Sequence, residues 1–180
     1  MEPPDSPPLA AFIAATAFAA HKHRDQRRKD AKASPYINHP IALANVLANE
    51  AVIADVVVLM AALLHDTIED TDTTAEELKN HFGAEVAVIV VQVTDDKTLK
   101  KAERKRQQVL HASSISNQAK LVKLADKICN LRDITAAPPA DWGIERKREY
   151  FDWAKQVVDQ LRGVHPRLEE LFDAEFERRP

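Results

Sequence analysis

Residues 61 to 70 read Ala61-Ala62-Leu63-Leu64-His65-Asp66-Thr67-Ile68-Glu69-Asp70, and this stretch decides both fold and chemistry. An apolar helix delivers one imidazole and a cluster of acids to its polar end. Ionised Asp and Glu are almost never buried unless paired or bound to a metal, so acids this close to Leu63 and Leu64 ask for a counter-charge. Candidate partners stand upstream at His39 and downstream at Asp126. Two carboxylates and two imidazoles, from His39, His65, Asp66 and Asp126, can close on one divalent ion.

Consecutive helical residues differ by about 100° in direction, so His65 and Asp66 reach a common ion only from a helix end. His39 and Asp126 must then arrive from other helices. Such a donor set is hard to borderline and contains no thiolate, which favours a six-coordinate ion with bound waters. Manganese fits best, one ion per chain, with iron, magnesium and zinc as further candidates. Glu69 follows His65 by four and Asp66 by three, on the same face one turn on, and Asp70 follows Asp66 by four. A carboxylate there can orient a water or take its proton during attack on phosphorus.

The rest of the chain indicates an all-α protein. Of 180 residues only 3 are glycine and turn clusters are scarce, which argues against strands and hairpins. The length suits one domain. Pro40 fits the first turn of a helix, with His39 at or just before its start. Helices are expected at about 40–50 and 54–65. Another should start at Thr73–Thr74, where Glu76 and Glu77 stand at capping-box spacing. Val86, Ile89, Val90 and Val93 keep helical spacing, as do Leu121, Leu124, Ile128 and Leu131. Asp126 lies off that leucine stripe on a face shared with Lys123 and Asn130. Asp141 is a plausible N-cap for a helix over about 142–162, and a last helix should start near 166.

Residues 1–8, rich in proline, are expected to be disordered, with the domain covering 9–180. The apolar stretch Leu9 to Ala20 is too short to span a bilayer, so no membrane partner is expected. A formal charge of −3 with pI near 6.2 is no footprint for nucleic acid. Cys129 is the single cysteine, which excludes a disulfide framework and fits a reducing cytoplasm.

Taken together, His39, His65-Asp66 and Asp126 resemble the signature of the HD metal-dependent phosphohydrolases. Gln26-Arg27-Arg28-Lys29, Pro35-Tyr36-Ile37-Asn38-His39-Pro40, the run from Ala62 to Thr71 and Lys123-Leu124-Ala125-Asp126-Lys127 narrow this to the hydrolase domain of the RelA/SpoT alarmone enzymes. Val93 to Leu99 and Tyr150 to Ala154 look like the short, stand-alone members. The resemblance runs from about residue 10 to 178.

It implies a compact single HD-domain helical bundle that hydrolyses the 3′-diphosphate of ppGpp or pppGpp to GDP or GTP and pyrophosphate, with manganese, clearing the alarmone of the stringent response. By motif, the metal ligands are His39, His65, Asp66 and Asp126, and Glu69 with Asp70 would activate water. Arg28, Lys29, Asn130 and Tyr150 would contact the nucleotide, and Lys97, Lys101, Arg104 and Arg146 are candidates for its diphosphates. Asp25 before Gln26, and Cys129 in place of His or Tyr, depart from the long enzymes. Hydrolysis without synthesis is expected. Two other readings stay open: removal of the 2′-phosphate of NADPH at the same site, and a non-catalytic module that senses alarmone. Oligomeric state is left open.

Overall fold

In the computed structural model, which describes residues 7–180, turns and loops join helices α1 (Pro8–Lys22), α2 (Asn38–Asn45), α3 (Val56–Leu64), α4 (Thr67–Asp70), α5 (Ala75–Phe82), α6 (Ala84–Val93), α7 (Lys101–His111), α8 (Asn117–Ala136), α9 (Ile144–Asp159) and α10 (Pro166–Phe176). Among the described residues no sheet forms, as expected. Two isolated bridges, Arg27 to Pro35 and Asp30 to Pro139, fasten the basic loop between α1 and α2.

Helix α3 is the axis. The Asp55 carboxylate caps it by accepting the Val57 and Val58 N–H groups. Six of its nine residues, Val58 and Met60 to Leu64, are buried, because α1, α2, α6 and α8 pack around it. A helix apolar on nearly every side is stable only in such an interior position. It stops at His65, and Asp66 (φ −101°, ψ 1°) leads into the single turn α4. The helix axis therefore breaks at the His-Asp pair, and both side chains leave it at an inner corner.

Helix α8 is the second support. Val122, Leu124, Ala125, Ile128 and Leu131 are buried on it, and α9 and α10 close over it with Phe151 and Phe172, which have no exposed surface. Removing a ring of that kind costs about 3–5 kcal/mol. Arg132 fastens this layer, gripping Glu50 through both terminal nitrogens at 2.7 and 2.9 Å and Glu175 at 2.9 Å.

Several boundaries differ from expectation. Helix α1 begins at Pro8 with Pro7 before it, inside the segment expected to be disordered; residues 1–6 lie outside those described. Helix α2 starts at Asn38, so His39 sits within the first turn. The expected helix to residue 50 widens into a π-helical turn over Val46–Glu50, after which Val52 takes φ 58°. Asp141 does not cap α9: Gly143 occupies that place, and Asp141 pairs with Arg146 at 3.3 Å instead. Thr74 does cap α5, accepting the Glu77 N–H at 3.1 Å. No helix among the described residues is long and apolar enough to cross a membrane.

Candidate active site

Three helices deliver one ligand each to a common point. His39 comes from the first turn of α2, His65 from the end of α3 and Asp126 from the middle of α8, and one donor atom from each lies within 4.8 Å of the others. His39 Nε2 is 3.2 Å and His65 Nε2 4.0 Å from the same oxygen, Asp126 Oδ1. Ligands about 2.1 Å from one ion are roughly 3–4 Å apart, so the cluster is close to binding geometry. His65 Nδ1 donates to the Ala62 carbonyl at 2.8 Å, which fixes the proton there and leaves the Nε2 lone pair free. His65 Nε2 and His39 Nδ1 are buried without a hydrogen-bond partner among the described residues. The orphaned His65 Nε2, 4.0 Å from Asp126 Oδ1, is accounted for by a cation, so the residues fit a divalent ion; His39 reaches the cluster through Nε2, and its Nδ1 faces Asp133 instead.

Asp66 is adjacent but lies outside that three-residue set. Its Oδ2 lies 2.9 Å from His65 Nε2, without hydrogen-bond direction, and accepts the hydroxyl of Tyr36. Burial opposes the charge on Asp66, yet His65 and His39 hold its carboxyl well below the usual range. Asp126 behaves alike: burial works against it, while Lys127 at 2.9 Å and His39 keep it ionised. Asn130 donates to Asp126 Oδ1 at 2.6 Å, so the face shared on α8 is real. Burial also opposes protonation of His65, but Asp66 and Asp126 push it up to about 9. These charges are what an ion would replace.

Glu69 faces the same cavity. Burial and the Asp66 charge lift its carboxyl to about 7, and it accepts the Asp95 N–H at 3.2 Å. Asp70 points elsewhere: it pairs with Lys97, accepts the Gln26 amide at 2.8 Å, and lines two neighbouring cavities without reaching Glu69's. The expected catalytic pair is thus divided by the helical turn.

The cavity over the ligand cluster measures about 620 Å³. Of the residues proposed from sequence as substrate contacts, Arg28, Lys101, Arg104, Asn130, Arg146 and Tyr150 line it. Lys97 does not, because it is spent on Asp70. Lys29 lines a second cavity of about 530 Å³, which shares Arg28, Tyr36, His39, Asn130, Trp142 and Tyr150 with the first. Arg28 is held by Asp133, whose Oδ2 also lies 3.8 Å from His39 Nδ1.

Sequence reasoning gave no role to Tyr36, Lys105, Lys123, Lys127, Asp133, Trp142 or Trp153. Lys105 Nζ lies 4.7 Å from the Trp153 ring centre and Lys127 Nζ 4.5 Å from it. Trp153 in turn donates to the Lys105 carbonyl at 3.0 Å, tying α9 to α7. Lys123 was visible at helical spacing from Asp126 and Lys127 as its immediate neighbour; the aromatic partners on α9 had no such signal.

The model of the HD domain family matches residues 15–152. Guanosine-3′,5′-bis(diphosphate) 3′-pyrophosphohydrolase MESH1 of Mus musculus is 58% identical over 170 residues, 94% of this chain and 95% of that protein. Its Homo sapiens counterpart is 56% identical over the same shares. The solved structure reported as "A metazoan ortholog of SpoT hydrolyzes ppGpp and plays a role in starvation responses" matches with TM-score 0.92 at 50% identity, covering 97% of this chain and 98% of that one.

Proposed function

The chain belongs to the HD domain family, and from that premise we propose that it hydrolyses guanosine-3′,5′-bis(diphosphate) at the 3′ position, releasing pyrophosphate and leaving GDP. One observation carries this reading: the His39, His65 and Asp126 cluster, with Glu69 beside it, opens into a cation-lined cavity of nucleotide size. A metal site alone would serve many phosphate esters. The cations make it a site for a highly anionic one.

Asp66 completes the ligand set, and manganese is the ion we assign, since two imidazoles, carboxylates and no thiolate suit a borderline divalent cation. When bound, such an ion polarises phosphoryl oxygens and acidifies water. Glu69 takes the proton of the attacking water, a task its elevated pKa suits at neutral pH. Asp70 acts through its neighbours, holding Lys97 and Gln26. Tyr36 keeps Asp66 oriented. Arg28, Lys29, Asn130 and Tyr150, around the second cavity, receive the nucleoside, while Lys101, Arg104 and Arg146 receive diphosphate charge.

Product analysis tests the proposal. Purified protein with manganese is offered ppGpp and NADPH separately, and pyrophosphate is resolved from orthophosphate. Pyrophosphate with GDP from ppGpp is expected. Orthophosphate from NADPH, with no product from ppGpp, would replace the reading by a 2′-phosphatase, and no turnover of either by a sensing module.

A further inference from the structure

The cations around the main cavity are not equivalent. Lys127 is paired with Asp126, Arg28 with Asp133 and Arg146 with Asp141. Lys105 lies against the Trp153 and Tyr150 rings. Lys101 and Arg104 stand at the more exposed mouth on α7. Lys123 alone combines deep burial with an uncommitted charge: it is 7% exposed and lines the cavity, yet among the described residues no side chain pairs or hydrogen-bonds with its ammonium.

An ammonium on a largely buried side chain that opens into a cavity without a partner favours an anionic ligand that supplies the counter-charge. Burial, reinforced by Lys127, lowers the Lys123 pKa to about 8, which leaves it mostly charged at neutral pH. Its position narrows the ligand. Lys123 lies one turn before Asp126 on the same face of α8, and Asp95, Asp126 and Glu69 are the acids whose charges reach it. It lines the same cavity as the ligand cluster and the proposed base, which is where the phosphorus under attack must sit.

We propose that Lys123 is a catalytic residue that binds the non-bridging oxygens of the scissile 3′-phosphoryl group and neutralises the charge that gathers on them. This rests on the hydrolase reading above. In the step, the water oxygen bonds to phosphorus as the bond from phosphorus to the ribose 3′-oxygen breaks. Glu69 takes one water proton and later gives it to solvent. The electron pair of the broken bond goes to the 3′-oxygen, which takes a proton from solvent and leaves as a hydroxyl. Lys123 transfers nothing; its fixed positive charge favours the transition state over the bound substrate.

The test uses Lys123→Met, which preserves length and removes a buried charge, and Lys123→Gln as a second variant should the first fold poorly. Steady-state rates with ppGpp, metal content and calorimetric binding of inorganic pyrophosphate to the manganese-loaded protein are compared with wild type. We expect kcat to fall about 100-fold or more, with pyrophosphate affinity at least about 10-fold weaker and metal content unchanged. Wild-type kcat and pyrophosphate affinity in both variants would overturn the assignment, and so would a loss that merely follows lost metal. If wild type itself releases no pyrophosphate from ppGpp, the hydrolase reading fails. The pyrophosphate titration then still decides whether Lys123 forms an anion site.

Discussion

Replacing Glu69 by Gln keeps size and shape at the cavity wall but removes the proton acceptor. We expect Glu69→Gln to retain metal and lose about 10²–10⁴-fold in kcat; near-normal turnover would remove Glu69 from the mechanism. The pH profile follows with a definite sign. Burial and Asp66 raise Glu69 to about 7, so the fraction able to accept a proton falls tenfold per unit below that value. A bound cation favours the carboxylate, placing the acid limb of kcat at or below pH 7 in the loaded enzyme. The limb should vanish in Glu69→Gln, and its persistence would assign it to another group. Glu69 was legible from its spacing after His65-Asp66, because position on one helical turn is a sequence property. The separation of Asp70 from it was not, since that depends on Lys97 and Gln26, which lie 27 and 44 residues away.

Helix α2 ends under strain that no periodicity announces. The π-helical turn Val46–Glu50 delivers Glu50 to Arg132, and the chain then leaves through Val52 at φ 58°, a β-branched residue in the left-handed region with 81% of its surface exposed. That conformation costs an L-residue roughly 1–2 kcal/mol, and Asn tolerates it better. Val52→Asn should therefore raise stability by about 0.5–1 kcal/mol without changing kcat; chemical denaturation showing a loss would refute the strain. Thr74→Ala should lower stability by about 1 kcal/mol through loss of the α5 cap, again with unchanged turnover. The contrast explains what the sequence discloses about elements. Caps and apolar stripes such as Thr74 or Leu124 to Leu131 depend on neighbours within a turn or two. The π-helical turn that carries Glu50 to Arg132, and the break at Asp66 that Tyr36 meets, involve partners 82 and 30 residues away, so they surface only in three dimensions.

Assembly of the whole molecule and assembly of the metal site are one event. His39 and Asp126 are 87 residues apart in the chain, and their rings and oxygens meet only because α2, α3 and α8 pack together. The unfolded chain has no comparable site, so the ion binds the folded state and stabilises it by mass action. The folded protein without metal also carries Asp66, Asp126 and Glu69 crowded at one inner corner, with His65 and Lys127 as partial compensation. At free manganese about 100-fold above its dissociation constant, the gain is about 2.7 kcal/mol. For a chain of this size that amounts to roughly 5–10 °C in Tm. Thermal scans should show this rise when manganese is returned to chelator-treated protein. Asp126→Ala, which removes the oxygen facing both imidazoles, should lose the rise along with metal and activity. A wild-type Tm indifferent to manganese, or the same rise in Asp126→Ala, would mean that the ion sits elsewhere or contributes nothing to holding these three helices together.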